Sequence, residues 1–117
     1  MANHDPVFYW VDQFRGLPYF VLFIHNLELQ DLARFEEELA SNLEYETGAH
    51  WSLGSIDRPE VDEAQGVVTN RYVLRPKTAP RGKISKALIT RIVLKTLRQL
   101  GYKHPYKLPK HKIIGGD

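Results

Sequence analysis

The sequence predicts an α+β fold: a single two-layer sandwich in which a small, mostly antiparallel sheet of about three to four strands carries two main helices on one face, plus a short N-terminal helix. Three observations carry this expectation. Leu29, Leu32, Phe35, Leu39 and Leu43 recur at helical spacing, with polar residues between them. Ile89, Val93, Leu97 and Leu100 repeat that pattern near the C-terminal end. Around and between these stretches lie short runs of Val, Ile, Phe, Tyr and Trp bounded by Gly, Pro, Asn and Asp, the marks of strands and turns. A chain of 117 residues, 43% hydrophobic, suits one domain with one core.

The elements follow in order. Asp5-Pro6 has the form of a helix start, a capping acid followed by proline at the first helical position. Val7, Trp10, Val11 and Phe14 then fall on one helical face, and Gly16 ends the segment, so a short helix is expected here; the same residues also favour a strand. Tyr19 to His25 is a continuous apolar run of strand length. Asn26 is the expected N-cap of the first main helix, which stops before Thr47-Gly48. Ala49 to Ile56 reads as a strand, Asp57 to Gly66 as a polar loop, and Val67 to Leu74 as a strand. Arg75 to Lys83 contains two prolines and a glycine, which exclude regular structure. The last helix runs from about Ser85 to Leu100, with Gly101 as its stop. Residues 1–101 form the expected domain. Residues 102–117 form an expected basic, extended C-terminal arm, because Pro105 and Pro109 favour polyproline-like backbone. An edge strand near Ile113 would bring the order close to a ferredoxin-like βαββαβ arrangement.

Charge is the strongest functional signal. The net charge of +2 hides an asymmetry. Residues 1–70 hold 13 acids against 3 bases, a balance of −10, and residues 71–117 hold 13 bases against the single acid Asp117, a balance of +12. Such polarity points to nucleic acid or another polyanion. In the last helix Arg91, Lys95, Arg98 and Tyr102 fall together on the side opposite the apolar face, at spacings i, i+4, i+7 and i+11. Like charges at this spacing cost an isolated helix about 0.2–0.5 kcal/mol per pair, and no glutamate relieves them. A merely solvated face is the plainer reading, but the flanks extend the pattern. The preceding loop and helix start offer Arg75, Lys77, Arg81, Lys83 and Lys86, and the arm offers Lys103, Lys107, Lys110 and Lys112 with Tyr106 among them. Cations hold phosphates and tyrosine rings stack on unpaired bases.

The expected function is therefore RNA or DNA binding, largely by backbone and shape, with the acidic half facing away. A protein-interaction module docking on an acidic partner, or pairing acidic half to basic half in a homodimer, is the alternative. The segment from Pro80 to Ala87 is similar in composition to the basic loop and helix start of double-stranded-RNA-binding domains. That family places three strands between its two helices, whereas two are expected here, so membership does not follow.

Other chemistry has less support. No cysteine is present, which removes disulfides, thiolate metal sites and cysteine nucleophiles. His25 and His50 stand at the ends of two expected strands; meeting at a sheet edge, they would supply the acid–base pair of a metal-free ribonuclease, a third reading. The five histidines lack metal-ligand spacing, and no phosphate-binding glycine loop or nucleophile elbow occurs, so no metal, cofactor or catalytic residue is expected. The N-terminus lacks the pattern of a secretory signal and no apolar run is long enough to cross a bilayer. The expected setting is cytoplasmic, with no membrane partner.

Overall fold

The structure, a computed structural model, describes residues 7–11, 20–55 and 58–107. Two helices pack on one face of a mainly antiparallel sheet, as the sequence predicts. The N-terminal segment differs from expectation. Val7–Val11 is a strand, β1, paired antiparallel with Phe20–Glu28, β2, in the register Val7↔His25 to Val11↔Val21. Val-Phe-Tyr-Trp-Val meets a helical period in only a few positions, and every one of these side chains favours extended backbone. A neighbouring strand that satisfies the ladder hydrogen bonds then decides the outcome. The proposed helix start at Asp5-Pro6, and Phe14 and Gly16, lie outside the described residues.

β2 is longer than expected and contains a β-bulge between Ile24 and Leu27, where its register against the next long strand shifts. Asn26 takes φ 65° there, a left-handed conformation that asparagine tolerates better than most residues. The bulge explains a change of parity: Leu22 and Ile24 face the core, and Leu27, not residue 26, joins them, all three fully buried. Asn26 is thus a bulge residue and not a helix cap.

The chain then enters a single 3-10 turn, Leu29–Asp31, and helix α1, Leu32–Thr47. Phe35, Leu39 and Leu43 are completely buried on one side of α1. Burial of each such side chain contributes about 1.5–3 kcal/mol. Gly48 ends α1 in the left-handed region at φ 76°, and its N–H donates to the Glu44 carbonyl.

Trp51–Ser55, β3, and Glu60–Asp62, β4, both pair with the long strand Val67–Pro76, β5. β3 lies against the C-terminal half of β5 and β4 against its N-terminal half, so the two form one interrupted edge strand. All three residues of β4 are exposed, which leaves no alternation in the sequence to betray a strand inside an expected loop. Three strands therefore separate the two helices, but β3 and β4 share one place in the sheet.

Helix α2 spans Lys86–Gln99. The Ser85 hydroxyl accepts from the Leu88 N–H at 3.1 Å, an N-cap that matches the sequence. Ile89, Ile92, Val93 and Leu97 seat α2 on the sheet. A two-residue strand, Tyr106–Lys107, β6, the last among the described residues, pairs parallel with β1. The sheet order is β3-β5-β2-β1-β6, with β4 also on β5. From β2 onward this is a βαββαβ path when β3 and β4 count as one, and β1 is an added strand between β2 and β6. The edge strand expected near Ile113 lies outside the described residues.

α1 and α2 run antiparallel, side by side. Asn42 donates to both Thr96 Oγ1 and Gln99 Oε1 at 2.9 Å, and Lys95 Nζ meets Glu46 Oε2 at 3.2 Å, so ascending α1 matches descending α2. At the far end Tyr102 reaches Asp31, just ahead of α1. The most acidic element and the most basic one are therefore neighbours in a single layer, and the acidic half does not face away from α2.

Candidate nucleic-acid interface

The sequence-derived basic residues separate into three groups in the fold. The first group is consumed by the structure. Arg81, in the loop between β5 and α2, lies across the C-terminus of α1: its Nη2 donates to the carbonyls of Tyr45 at 3.1 Å and Glu46 at 3.3 Å, and its N–H donates to the Thr47 carbonyl at 2.8 Å. These are the carbonyls a helix end leaves without partners, and the cation also suits the negative end of the helix dipole. The same loop is pinned by the Lys77 N–H to the His50 carbonyl at 2.6 Å, and by the His50 N–H to Thr78 Oγ1 at 2.9 Å. Lys95 is also engaged, with its ammonium on Glu46 and 5.5 Å from the Tyr45 ring centroid.

Tyr102 is engaged most deeply. Gly101, at φ 105°, turns the chain after α2, so the helical period does not continue to residue 102. The Tyr102 ring is 6% exposed in the core. Its hydroxyl donates to Asp31 Oδ2 at 2.7 Å and accepts from the Glu28 N–H at 3.0 Å. Burial pushes this phenol well above its usual pKa, an effect to which the Asp31 carboxylate adds. A ring held this way presents no face to a base.

The second group faces solvent. Arg91 and Arg98 stand two turns apart on the outermost line of α2, and both are exposed. Among the described residues neither has an ion-pair partner. Lys77, Lys83 and Lys86 are exposed around the N-terminal end of α2, where α1 has already ended and Arg81 covers its terminus. Arg75 is exposed on β5 opposite Ser52, and Lys103 is exposed after α2. The third group is set by backbone alone: Tyr106 and Lys107 form β6, so the first residues of the expected arm pair with the sheet. Lys110 and Lys112 lie outside the described residues.

The two histidines of the ribonuclease reading are far apart. His50 is exposed beside α1, with Nδ1 at 3.3 Å from Glu44 Oε1. His25 lies on the sheet face away from the helices, its Nδ1 at 3.2 Å from Thr69 Oγ1. Trp51, next to His50, pairs with Pro76. Seven positions of β5 thus separate the two sites, about 23 Å at strand rise, too far for a shared proton-transfer step. Burial holds His25 below the usual imidazole pKa, partly opposed by Glu60. Around it stands a cluster that no motif in the sequence marks: the Phe23 ring stacks on His25 at 4.9 Å, and the Arg71 guanidinium lies over Phe23 at 5.0 Å. Period-two alternation in β2 and β5 assigns these residues to one face, but only the register Phe23↔Arg71 brings them together.

Among the described residues, no group of three or more His, Asp or Glu is placed to hold a metal ion, and no helix is long and apolar enough to cross a membrane. Compared with protein-family models, with curated proteins and with solved structures, the chain matches none.

Proposed function

We propose that this protein binds nucleic acid, through backbone phosphates, along the outer line of α2 and around its N-terminal end. The observation that carries the reading is a segment of 46 residues, from Arg71 to Gly116, without one carboxylate side chain, whose exposed cations Lys77, Lys83, Lys86, Arg91 and Arg98 gather on one helix and the loop before it. Arg91 and Arg98 are separated by roughly 10 Å of helix rise, so they meet different phosphates. Arg81, Lys95 and Tyr102, engaged within the fold, are left out of the contact set. Glutamates on the neighbouring α1 bound the basic surface on one side and orient an approaching polyanion toward the α2 N-terminus.

Five such contacts give a log–log salt slope of roughly −3.5 to −4.5, single-stranded to double-stranded. The test is fluorescence anisotropy of labelled single- and double-stranded RNA and DNA over a salt series. Arg91→Glu/Arg98→Glu and Lys77→Glu/Lys83→Glu are expected to abolish binding at moderate salt while the fold persists. Lys95 is not a suitable probe, because its reversal would also repel Glu46. Absence of binding by folded wild-type protein at low salt would overturn the proposal and favour an acidic protein partner.

A further inference from the structure

A second property follows from how α1 and α2 are laid out, and its support does not rest on nucleic-acid binding. The outer line of α1 carries Glu37, Ser41 and Glu44, all exposed, with Glu38 and Tyr45 beside them. Tyr45 is 75% exposed, the largest value for a large hydrophobic side chain among the described residues. The outer line of α2 carries Arg91 and Arg98. Asn42 beside Thr96 and Gln99, and Glu46 beside Lys95, set Arg98 level with the Ser41–Glu44 turn of α1 and Arg91 beyond the α1 end. Because the helices are antiparallel neighbours, an axis lying in the surface of the layer, along the groove between them, relates the acidic line to the basic one.

We propose that the helix layer is a self-docking surface whose occupant is a second copy of this chain. A two-fold rotation about that axis sets α1 of each copy over α2 of the other. The crossing helices run antiparallel, and because the rotation leaves height along the groove unchanged, Glu44 of one copy meets Arg98 of the other on each seam. Both acid–base seams form at once, so the contact is isologous and closed. A rotation about the perpendicular in-plane axis would set acid on acid and base on base. Tyr45, close to Lys95 at the α1–α2 border, supplies an aromatic surface to the contact. The seams are solvent-accessible ion pairs, so the dimer is weak and salt-sensitive. It also covers Arg98, assigned above to phosphate contact, so polyanion and second copy compete for it.

The test is sedimentation velocity on nuclease-treated protein free of nucleic acid. Wild type is expected to dimerise at low salt, with a dissociation constant that rises about tenfold or more between about 50 mM and 500 mM NaCl. Arg91→Glu/Arg98→Glu makes both helices acidic, Glu37→Lys/Glu44→Lys makes both basic, and each variant alone is expected to be monomeric. Their equimolar mixture restores a dimer, because the two-fold pairs every acidic line with a basic one. Rescue on mixing cannot arise from damage to either fold. Monomeric wild type at low salt, a mixture that stays monomeric, a dimer indifferent to both variants, or growth beyond a dimer would each overturn the proposal. The Glu37→Lys/Glu44→Lys variant separates the two readings, since it loses the dimer while keeping the cations that would bind nucleic acid.

Discussion

Gly48 is the position at which a single added methyl group tests how the basic loop is used. At φ 76° an alanine there carries about 1–2 kcal/mol of left-handed strain. Its Cβ would also stand 2.8 Å from both Cγ and Nη1 of Arg81, so the guanidinium would have to leave the α1 terminus. Losing the exposed hydrogen bonds to Tyr45 and Glu46 adds about 1 kcal/mol. Gly48→Ala is therefore expected to cost about 2–3 kcal/mol. Gly66 is the control: φ is 70° and nothing lies within 4 Å of an added Cβ, so Gly66→Ala should show the strain alone. In urea denaturation, at an m-value of about 1.5 kcal/mol/M, the midpoints should fall by about 2 M and about 1 M respectively. In an Arg81→Ala background the cost of Gly48→Ala should drop to that of Gly66→Ala, giving a coupling of about 1 kcal/mol. Equal costs for the two glycines, or no coupling to Arg81, would refute the assignment of Arg81 as the α1 cap and return it to the phosphate-binding set.

Two further perturbations test the polar contacts behind the site. Tyr102→Phe removes the hydroxyl that serves both Asp31 and the Glu28 N–H, and should destabilise by about 1–3 kcal/mol in denaturant unfolding; oligonucleotide affinity measured on the folded variant should not change. His25 titrates below its usual value in the folded protein, so the native state binds fewer protons than the unfolded one. The stability His25 contributes is complete above about pH 6.5 and is lost as pH falls through the lower folded pKa. Equilibrium unfolding between about pH 7 and pH 5 should show that loss, and His25→Gln should remove it.

Local patterns in this chain are enough for its helices and for most of its core. Leu39, Leu43, Ile89, Val93 and Leu97 recur at the helical period and are buried, and Ser85 and Gly48 punctuate the helices where cap chemistry demands. Such signals are local, depending on a few neighbouring residues and the geometry of one helix turn. The acid-free C-terminal half is likewise a property of the sequence alone. Non-local partners decided the rest. β1 is a strand because β2 lies beside it, and Asn26 sits in a bulge because β5 fixes the register on either side. In the sequence Lys95 and Tyr102 share the spacing of Arg91 and Arg98, and Arg81 shares their charge. They differ because α1 ends under Arg81, carries Glu46 opposite Lys95, and is preceded by Asp31, which receives Tyr102. The role of each of these side chains is set by the nearest carbonyl or carboxylate in space, and the antiparallel packing of α1 on α2 supplied those neighbours from positions 35 to 71 residues away.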